Sequence, residues 1–334
     1  MNILVTGGAG FIGSNFCDLV LKQKEVNKLF IIDKFTYAGL EENLEHVMSD
    51  PRVQLIKADV CHTELFKEPL LDANYVFNFA AESHVDNSIM SPRDFIQTNI
   101  FGTFQILETL RQSNNLKKFV QISTDEVYGS LTNTALPSTE LSPLQPSSPY
   151  SASKAGADHL ALSYALTYGL SVTVTRSSNN YGPRQLPEKF IPKIIINALN
   201  GLNIPVYGTG KNIRDWIFVE DNCKGIWKAA LSKETNKVFH FGADNELENL
   251  DIVKIFLEEL NQKESLIEYV KDRPGHDFRY SLNIENTIKT LNWKPEESFH
   301  SGVKKTVNWY QKNLVWIDKA NEKLRIKHLE MRQK

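Results

Sequence analysis

The chain predicts an α/β fold, a doubly wound parallel sheet joined to a smaller, partly interleaved C-terminal domain, and three observations carry that expectation. First, apolar runs with strand character recur at Ile3–Val5, Leu29–Ile32, Val53–Ile56, Tyr75–Phe79 and Phe119–Ile122, with helical spacing between most of them. Strands alternating with helices imply right-handed crossovers and a parallel sheet covered on both faces. Second, 334 residues exceed the usual size of one domain, so one large or two unequal domains are expected. Third, a long helical pattern from Tyr150 to about Tyr168 and a strand at Val172–Thr175 precede a stretch rich in loops and proline, from Ser178 to about Pro205. Val238–Phe241 then reads as a late strand, so the division expected is 1–178 for the sheet domain, with 238–242 returning to it, and 179–315 for the second domain. Residues 316–334 mix charges with Leu324, Ile326, Leu329 and Met331. They read as an exposed helix or a packing arm, with a solvated charged tail as the simpler expectation.

The first strand runs into Thr6-Gly7-Gly8-Ala9-Gly10-Phe11-Ile12-Gly13, which opens a helix. Gly7, Gly10 and Gly13 are spaced GxxGxxG, a variant of the GxGxxG turn that lets backbone approach a pyrophosphate. The phosphates would sit at the positive end of that helix. Asp33 lies twenty positions beyond Gly13, at the end of the second strand, where a carboxylate can accept from a ribose diol and repel a 2′-phosphate. A Rossmann-type site for NAD, rather than NADP, follows. Asp59-Val60 after the third strand and Ala80-Ala81-Glu82-Ser83 after the fourth either border that cofactor or are plain strand-end loops.

The fifth strand delivers Ser123-Thr124-Asp125-Glu126-Val127-Tyr128-Gly129 to the carboxyl edge of the sheet, where ligands bind in such folds. Asp125 and Glu126 are either a solvated loop pair or an acid–base pair. Tyr150 and Lys154 are four apart and share a helix face, with Ser147 and Ser148 as candidate caps and Pro149 leading in. An ammonium near a phenol favours the phenolate and makes a usable base. A second YxxxK, Tyr207 to Lys211, is interrupted by Gly208-Thr209-Gly210 and is not expected to be helical.

The net charge of −2 excludes a dedicated nucleic-acid surface but not a local phosphate site. Three scattered cysteines without CxxC spacing suggest neither disulfides nor a metal site, and a cytoplasmic setting fits. No apolar stretch approaches a membrane span, and the short N-terminal run reads as a strand rather than a signal peptide.

With these residues in view, the chain resembles the extended short-chain dehydrogenase/reductase superfamily and, within it, the dTDP-glucose 4,6-dehydratase family. The blocks are DKFTYAG (33–39), AAESHVD (80–86), STDEVYG (123–129), SPYSASKA (148–155), SNNYGP (178–183), PEK (187–189), RDW (214–216) and DRPGHD (272–277). The resemblance implies a bound NAD regenerated each turnover, with Phe11, Ile12, Lys34, Thr36, Thr98 and Asn180 added to the cofactor set. It implies that Tyr150 takes the proton of the sugar 4-hydroxyl, that Lys154 holds the nicotinamide ribose, and that Thr124 bonds the reacting oxygen. Glu126 would remove the C5 proton and Asp125 would protonate the departing 6-hydroxyl. Substrate contacts are implied at Ser83, Thr124, Asn179, Glu188, Lys189, Phe190, Pro205, Tyr207, Arg214, Asn249, Arg273 and His276. Arg214 and Arg273 suit a diphosphate, although Arg214 beside Asp215 could be a structural ion pair and Lys189 a surface charge. Asn87, Leu186 and Asn222 depart from the family pattern. A homodimer is the expected assembly. The rival expectations are a 4-epimerase or decarboxylase of the same superfamily, which need no acid–base pair, and a silent NAD-binding regulatory protein.

Overall fold

The computed structural model describes residues 1–272 and 275–332. Its strands are β1 (Asn2–Thr6), β2 (Lys28–Asp33), β3 (Val53–Lys57), β4 (Tyr75–Asn78), β5 (Lys118–Thr124), β6 (Val172–Ser177), β7 (Asn179–Tyr181), β8 (Ile204–Tyr207), β9 (Ile213–Phe218), β10 (Lys237–Phe241), β11 (Glu246–Glu248) and β12 (Ile267–Val270). The first half contains helices α1 (Phe11–Leu21), α2 (Lys67–Asp72), α3 (Val85–Met90), α4 (Pro92–Phe95), α5 (Thr103–Leu110) and α6 (Pro149–Tyr168). The second contains α7 (Phe190–Leu199), α8 (Val219–Leu231), α9 (Asn249–Glu259), α10 (Glu285–Leu291), α11 (Phe299–Lys312) and α12 (Leu314–Arg332).

Seven strands form one sheet in the order β3-β2-β1-β4-β5-β6-β10, and every pairing is parallel. The order reverses direction between β1 and β4, and the crevice above that point is where a doubly wound sheet binds its ligand. The late strand β10 pairs in parallel with β6, Lys237 opposite Thr173 through Phe241 opposite Ser177. The near-continuous apolar character of β1, β2 and β5 follows from burial on both faces. One face packs Phe16, Val20, Ile226 and Trp227 of α1 and α8 against Ile3, Val5 and Ile31; the other packs Leu107, Ala161 and Ala165 of α5 and α6 against Leu4, Phe119 and Val174.

A second core gathers β8, β9, α7, α9 and α11 around Trp216, Phe218, Phe256 and Tyr310. Small sheets border it: β7 and β11 flank β9, and β12 pairs with β8. The expectation of a solvated tail fails for the first part of α12, while Ile326 and Leu329 farther along are exposed. α12 buries Trp316, Ile317, Ala320 and Leu324 in this second core. Four apolar side chains spaced along one side of a helix stabilise docking through area removed from water, whatever the charge of the opposite side.

Candidate active site

The turn after β1 closes tightly because its glycines leave no room for side chains. Gly7 has φ +68, and a Cβ there would lie 2.6 Å from Ala80 N; a Cβ on Gly13 would lie 2.2 Å from Gly7 O. α1 starts at Gly10 without a side-chain cap, so its first amides face the cleft. That cradle, closed by backbone alone, fits a pyrophosphate. Asp33 is 8% exposed, and its carboxylate accepts from Ala9 N–H (2.9 Å) and Phe35 N–H (2.7 Å). Burial pushes its pKa up and those amides pull it down. Two backbone bonds fix the carboxylate and leave acceptor capacity for a ribose diol. Lys34 pairs with Asp59 at 2.7 Å on the adjoining strand ends.

These residues belong to one cleft of about 1180 Å³, the open solvent at its mouth included. It is lined by Gly7, Gly10, Phe11, Ile12, Gly13, Asp33, Lys34, Thr36, Asp59, Val60, Ala80, Ala81, Ser83, Thr98, Tyr150 and Lys154. Of the cofactor residues expected from sequence, Asn180 alone stands off the lining. Its backbone carbonyl accepts from Gln185, which does line the cleft, and its side-chain oxygen accepts from Asn222 at 2.8 Å. Asn222, a departure from the family pattern, thus holds Asn180 in place. Sequence reasoning missed Ile32, Gly39, Phe79, Ile122 and Gln185 in the wall. Their signal was available, since most directly flank a motif residue.

Tyr150 and Lys154 ride on α6, whose start is set by a reciprocal box. Ser148 Oγ accepts from Ser151 N–H, and Ser151 Oγ accepts in turn from Ser148 N–H, with Pro149 in the first turn. Ser147 does not cap; it donates to Asp277 Oδ2 at 2.5 Å and ties α6 to the second domain. Lys154 is buried and donates from Nζ to Ile122 O at 2.5 Å. Desolvation lowers its pKa to about 8, with the charge of Asp158 one helical turn on opposing the drop. Tyr150 is half-buried. The dominant effects on its phenol run against the sequence expectation of a lowered pKa: burial raises it, then the charges of Glu126 and Asp125, while a hydrogen bond with Thr124 lowers it. The phenol therefore stands against the acid pair and Thr124.

Asp125 and Glu126 begin a single turn capped by Thr124, whose Oγ1 accepts from Glu126 N–H at 3.3 Å. Asp125 is 3% exposed, and Thr124 Oγ1 lies 3.2 Å from its Oδ1. Its Oδ2 meets no hydrogen-bond partner among the described residues. Burial first, and the neighbouring Glu126 charge second, push its pKa up to about 8; Arg214 opposes them. One carboxyl of the pair is thereby kept in the acid form near neutral pH.

Behind the pair lies a polar network that sequence reasoning missed. Asp158 Oδ2 accepts from Ser123 Oγ–H and from Arg176 Nε–H, each at 2.9 Å, and Arg176 reaches Tyr128 Oη at 2.6 Å. Tyr128 Oη lies 2.6 Å from His240 Nε2.

The expected substrate residues fall into groups. Lys189 lines the cleft with Nζ 3.5 Å from Ser83 Oγ; burial first, and the Glu188 charge second, raise the pKa of Tyr37, whose hydroxyl donates to Ser83 O. Asn87 donates to that same hydroxyl, and Leu186 is a buried wall residue, so two further departures from pattern have structural places. Phe190 stacks on Trp216, ring centroids 6.1 Å apart, and Asn179 opens β7. Pro205 and Tyr207 lie on β8, with the Tyr207 ring edge-on to His276 at 6.0 Å and His276 paired with Asp272 at 2.7 Å. Asn249 starts α9 and donates its N–H to Asn212 O. The cleft walls around Asp33 do not include this second group. Arg214 is buried; it donates to the carbonyls of Ile213, Asp277 and Phe278 and stacks 4.3 Å over the Tyr280 ring. Asp215 instead accepts from Ala243 and Asn245 N–H. Arg273 lies outside the described residues.

Against known proteins, the family model described as GDP-mannose 4,6 dehydratase matches residues 4–306. A probable dTDP-glucose 4,6-dehydratase of Sinorhizobium fredii is 44% identical over 342 residues, covering 97% of each chain. dTDP-glucose 4,6-dehydratase 1 of Escherichia coli is 44% identical, covering 95% of each. The chain belongs to the dTDP-glucose 4,6-dehydratase family. The crystal structure of DesIV, a dTDP-glucose 4,6-dehydratase from Streptomyces venezuelae with NAD and TYD bound, superposes with a TM-score of 0.93 at 41% identity, covering 96% of this chain and all of that one. α12 begins beyond the matched span of the 4,6-dehydratase model, so its contacts are features of this chain that the model does not describe.

Proposed function

We propose that this chain is an NAD-dependent hydro-lyase that converts dTDP-glucose to dTDP-4-keto-6-deoxyglucose. The observation that carries the reading is the pairing of a buried, proton-retaining Asp125 with Glu126 against Tyr150 at the end of β5. An epimerase or decarboxylase uses the Tyr–Lys pair but has no task for two adjacent carboxyls.

The glycine turn, Asp33 and Lys154 would hold NAD. When bound, it would supply the hydride-accepting and hydride-donating chemistry for oxidation at C4 and reduction at C6. Tyr150 takes the proton of the 4-hydroxyl, with Thr124 bonding the same oxygen and the Lys154 ammonium stabilising the phenolate. A ketone at C4 acidifies the C5 proton, which Glu126 would remove and, once C6 has received the hydride, return to C5. Asp125, held in the acid form by burial, gives its proton to the departing 6-hydroxyl. Lys189 and Ser83 would lie on the side of the cleft where the sugar nucleotide enters, and the Arg214 charge would stabilise the carboxylate that Asp125 becomes once it has given up its proton. Incubation of the pure protein with dTDP-glucose and UDP-glucose, with products identified by mass and NMR, tests this. Loss of one water from the dTDP sugar with no net reduction of NAD supports it; an epimer of unchanged mass, or no turnover of either sugar, contradicts it.

A homodimer fits the exposed apolar side chains along α3 to α6 and the segment between, Met90, Ile96, Phe101 and Leu166 among them. Sedimentation at low micromolar concentration tests it, a monomer being the contrary result. The three cysteines are unpaired and buried, which suits a reducing cytoplasm, and no helix among the described residues is long and apolar enough to cross a membrane.

A further inference from the structure

Lys319, Lys323 and Lys327 recur every fourth residue of α12 and so run down one side of it. Each meets a separate point of the segment after β2 or its neighbour. Lys319 Nζ pairs with Glu42 Oε1 at 2.5 Å. Lys323 Nζ donates to Gly39 O at 2.8 Å. Lys327 Nζ stands 4.9 Å from the centroid of the Tyr37 ring and 4.0 Å from Glu82 Oε2. One turn earlier in the helix, Trp316 Nε1 donates to Asn43 Oδ1 at 2.8 Å.

Two of the points held, Gly39 and Glu82, are in the wall of the cofactor cleft. Gly39 also abuts the ribose-binding carboxylate: a Cβ there would lie 2.6 Å from Asp33 Oδ1. The helix is held down beside the lysines by Trp316, Ile317, Ala320 and Leu324, so the lysines are presented from a fixed body. Leu324 and Asn321 additionally border Glu188 and Pro187, next to Lys189. A single helix thus spans from the loop beside Asp33 to the loop beside the sugar side of the cleft.

We propose that α12 is a strap over the cofactor cleft, with Lys323 and Lys327 as positioning residues that pin the loop 36–43 and the Glu82 wall and thereby slow the departure of NAD. This rests on NAD being the resident cofactor. The loop 36–43 carries two small residues, Ala38 and Gly39, and the following residues form only a short 3₁₀ turn, Glu41–Asn43. Leu40 N–H and Asn43 Nδ2–H bond Ala9 O at its far end, and the hydrogen bond from a charged donor to Gly39 O adds a hold at the point that abuts Asp33. A cofactor that must survive oxidation and reduction within one turnover benefits from a slow exit.

The test is NAD binding itself, measured by direct titration and by the NAD retained after gel filtration, on the full chain with Lys323→Met and Lys327→Met combined. The affinity for NAD is expected to fall at least about tenfold. The KM for added NAD rises while kcat at saturating NAD recovers, and Lys323→Arg keeps the wild-type affinity. A second variant ending at Asn313 removes the strap entirely and is expected to lose NAD further; because it also uncovers the second core, its thermal transition is followed in parallel, and the lysine variant decides if that transition is lost. NAD retention and affinity within twofold of wild type in the lysine double variant overturns the proposal. Normal NAD retention with no turnover of nucleotide sugars would instead count against the functional reading and leave the strap standing.

Discussion

Arg176 and Asp158 form an ion pair behind the catalytic helix, Nε to Oδ2 at 2.9 Å, with their side chains 4% and 0% exposed. Asp158 sits four residues beyond Lys154 on α6, and its charge raises the pKa of that lysine against the drop caused by burial. The second carboxylate oxygen, Oδ1, has no hydrogen-bond partner among the described residues, so it acts on its surroundings by charge.

Asp158→Asn is therefore expected to have two separable effects. Arg176 is left without its countercharge, which costs about 3–5 kcal/mol for a broken buried pair, readable as a lower urea midpoint. The pKa of Lys154 falls below about 8, so the alkaline limb of the kcat profile moves to lower pH. A lower midpoint with an unmoved alkaline limb would make Asp158 a purely structural residue.

Asp125 links stability to pH with a definite sign. Its folded pKa of about 8 lies above the ordinary carboxyl value, so the folded state binds the extra proton between those limits. Its contribution is least unfavourable below the unfolded value and worsens as pH rises toward 8. Asp125→Asn, which has no charge to bury, is expected to raise the melting temperature relative to wild type at pH 8 and to give little difference near pH 4. Equal shifts at both pH values would show that the carboxyl ionises freely in the folded protein.

The acid pair and the Tyr–Lys pair should separate the chemical steps. Asp125→Asn combined with Glu126→Gln is expected to allow oxidation at C4, seen as NADH absorbance rising on mixing with dTDP-glucose, while water loss falls by about two to four orders of magnitude, the usual worth of general acid–base groups. If oxidation and water loss fall together, the roles assigned to the two carboxyls are wrong.

How much of this was legible in the residues depended on whether a feature is local. The turn at Gly7–Gly13, Asp33 and the Tyr150–Lys154 face are set by neighbours within a few positions or by one strand–helix unit, and the cleft gathers nearly all of them. The strand at Val238–Phe241 was equally readable, though its partner β6 was not. Contacts across the chain were opaque. Asp158 looks like any helix carboxylate until β6 brings Arg176 beneath it. α12 offers mixed charges and scattered apolar residues, and its docking depends on Asn43 and Gly39, more than two hundred and seventy positions away in sequence. Spacing reveals the lysine of the Tyr150–Lys154 pair but neither the burial of the phenol nor the two carboxylates folded against it, which together raise its pKa.

The central claim is that one hydride leaves C4 and the same hydride returns to C6 while water departs between them. Turnover of dTDP-glucose carrying deuterium at C4 tests it most directly. The account predicts a dehydrated product with deuterium on C6 and no deuterium released to solvent. Deuterium still at C4, or a product whose C6 carries only solvent-derived hydrogen, would contradict it.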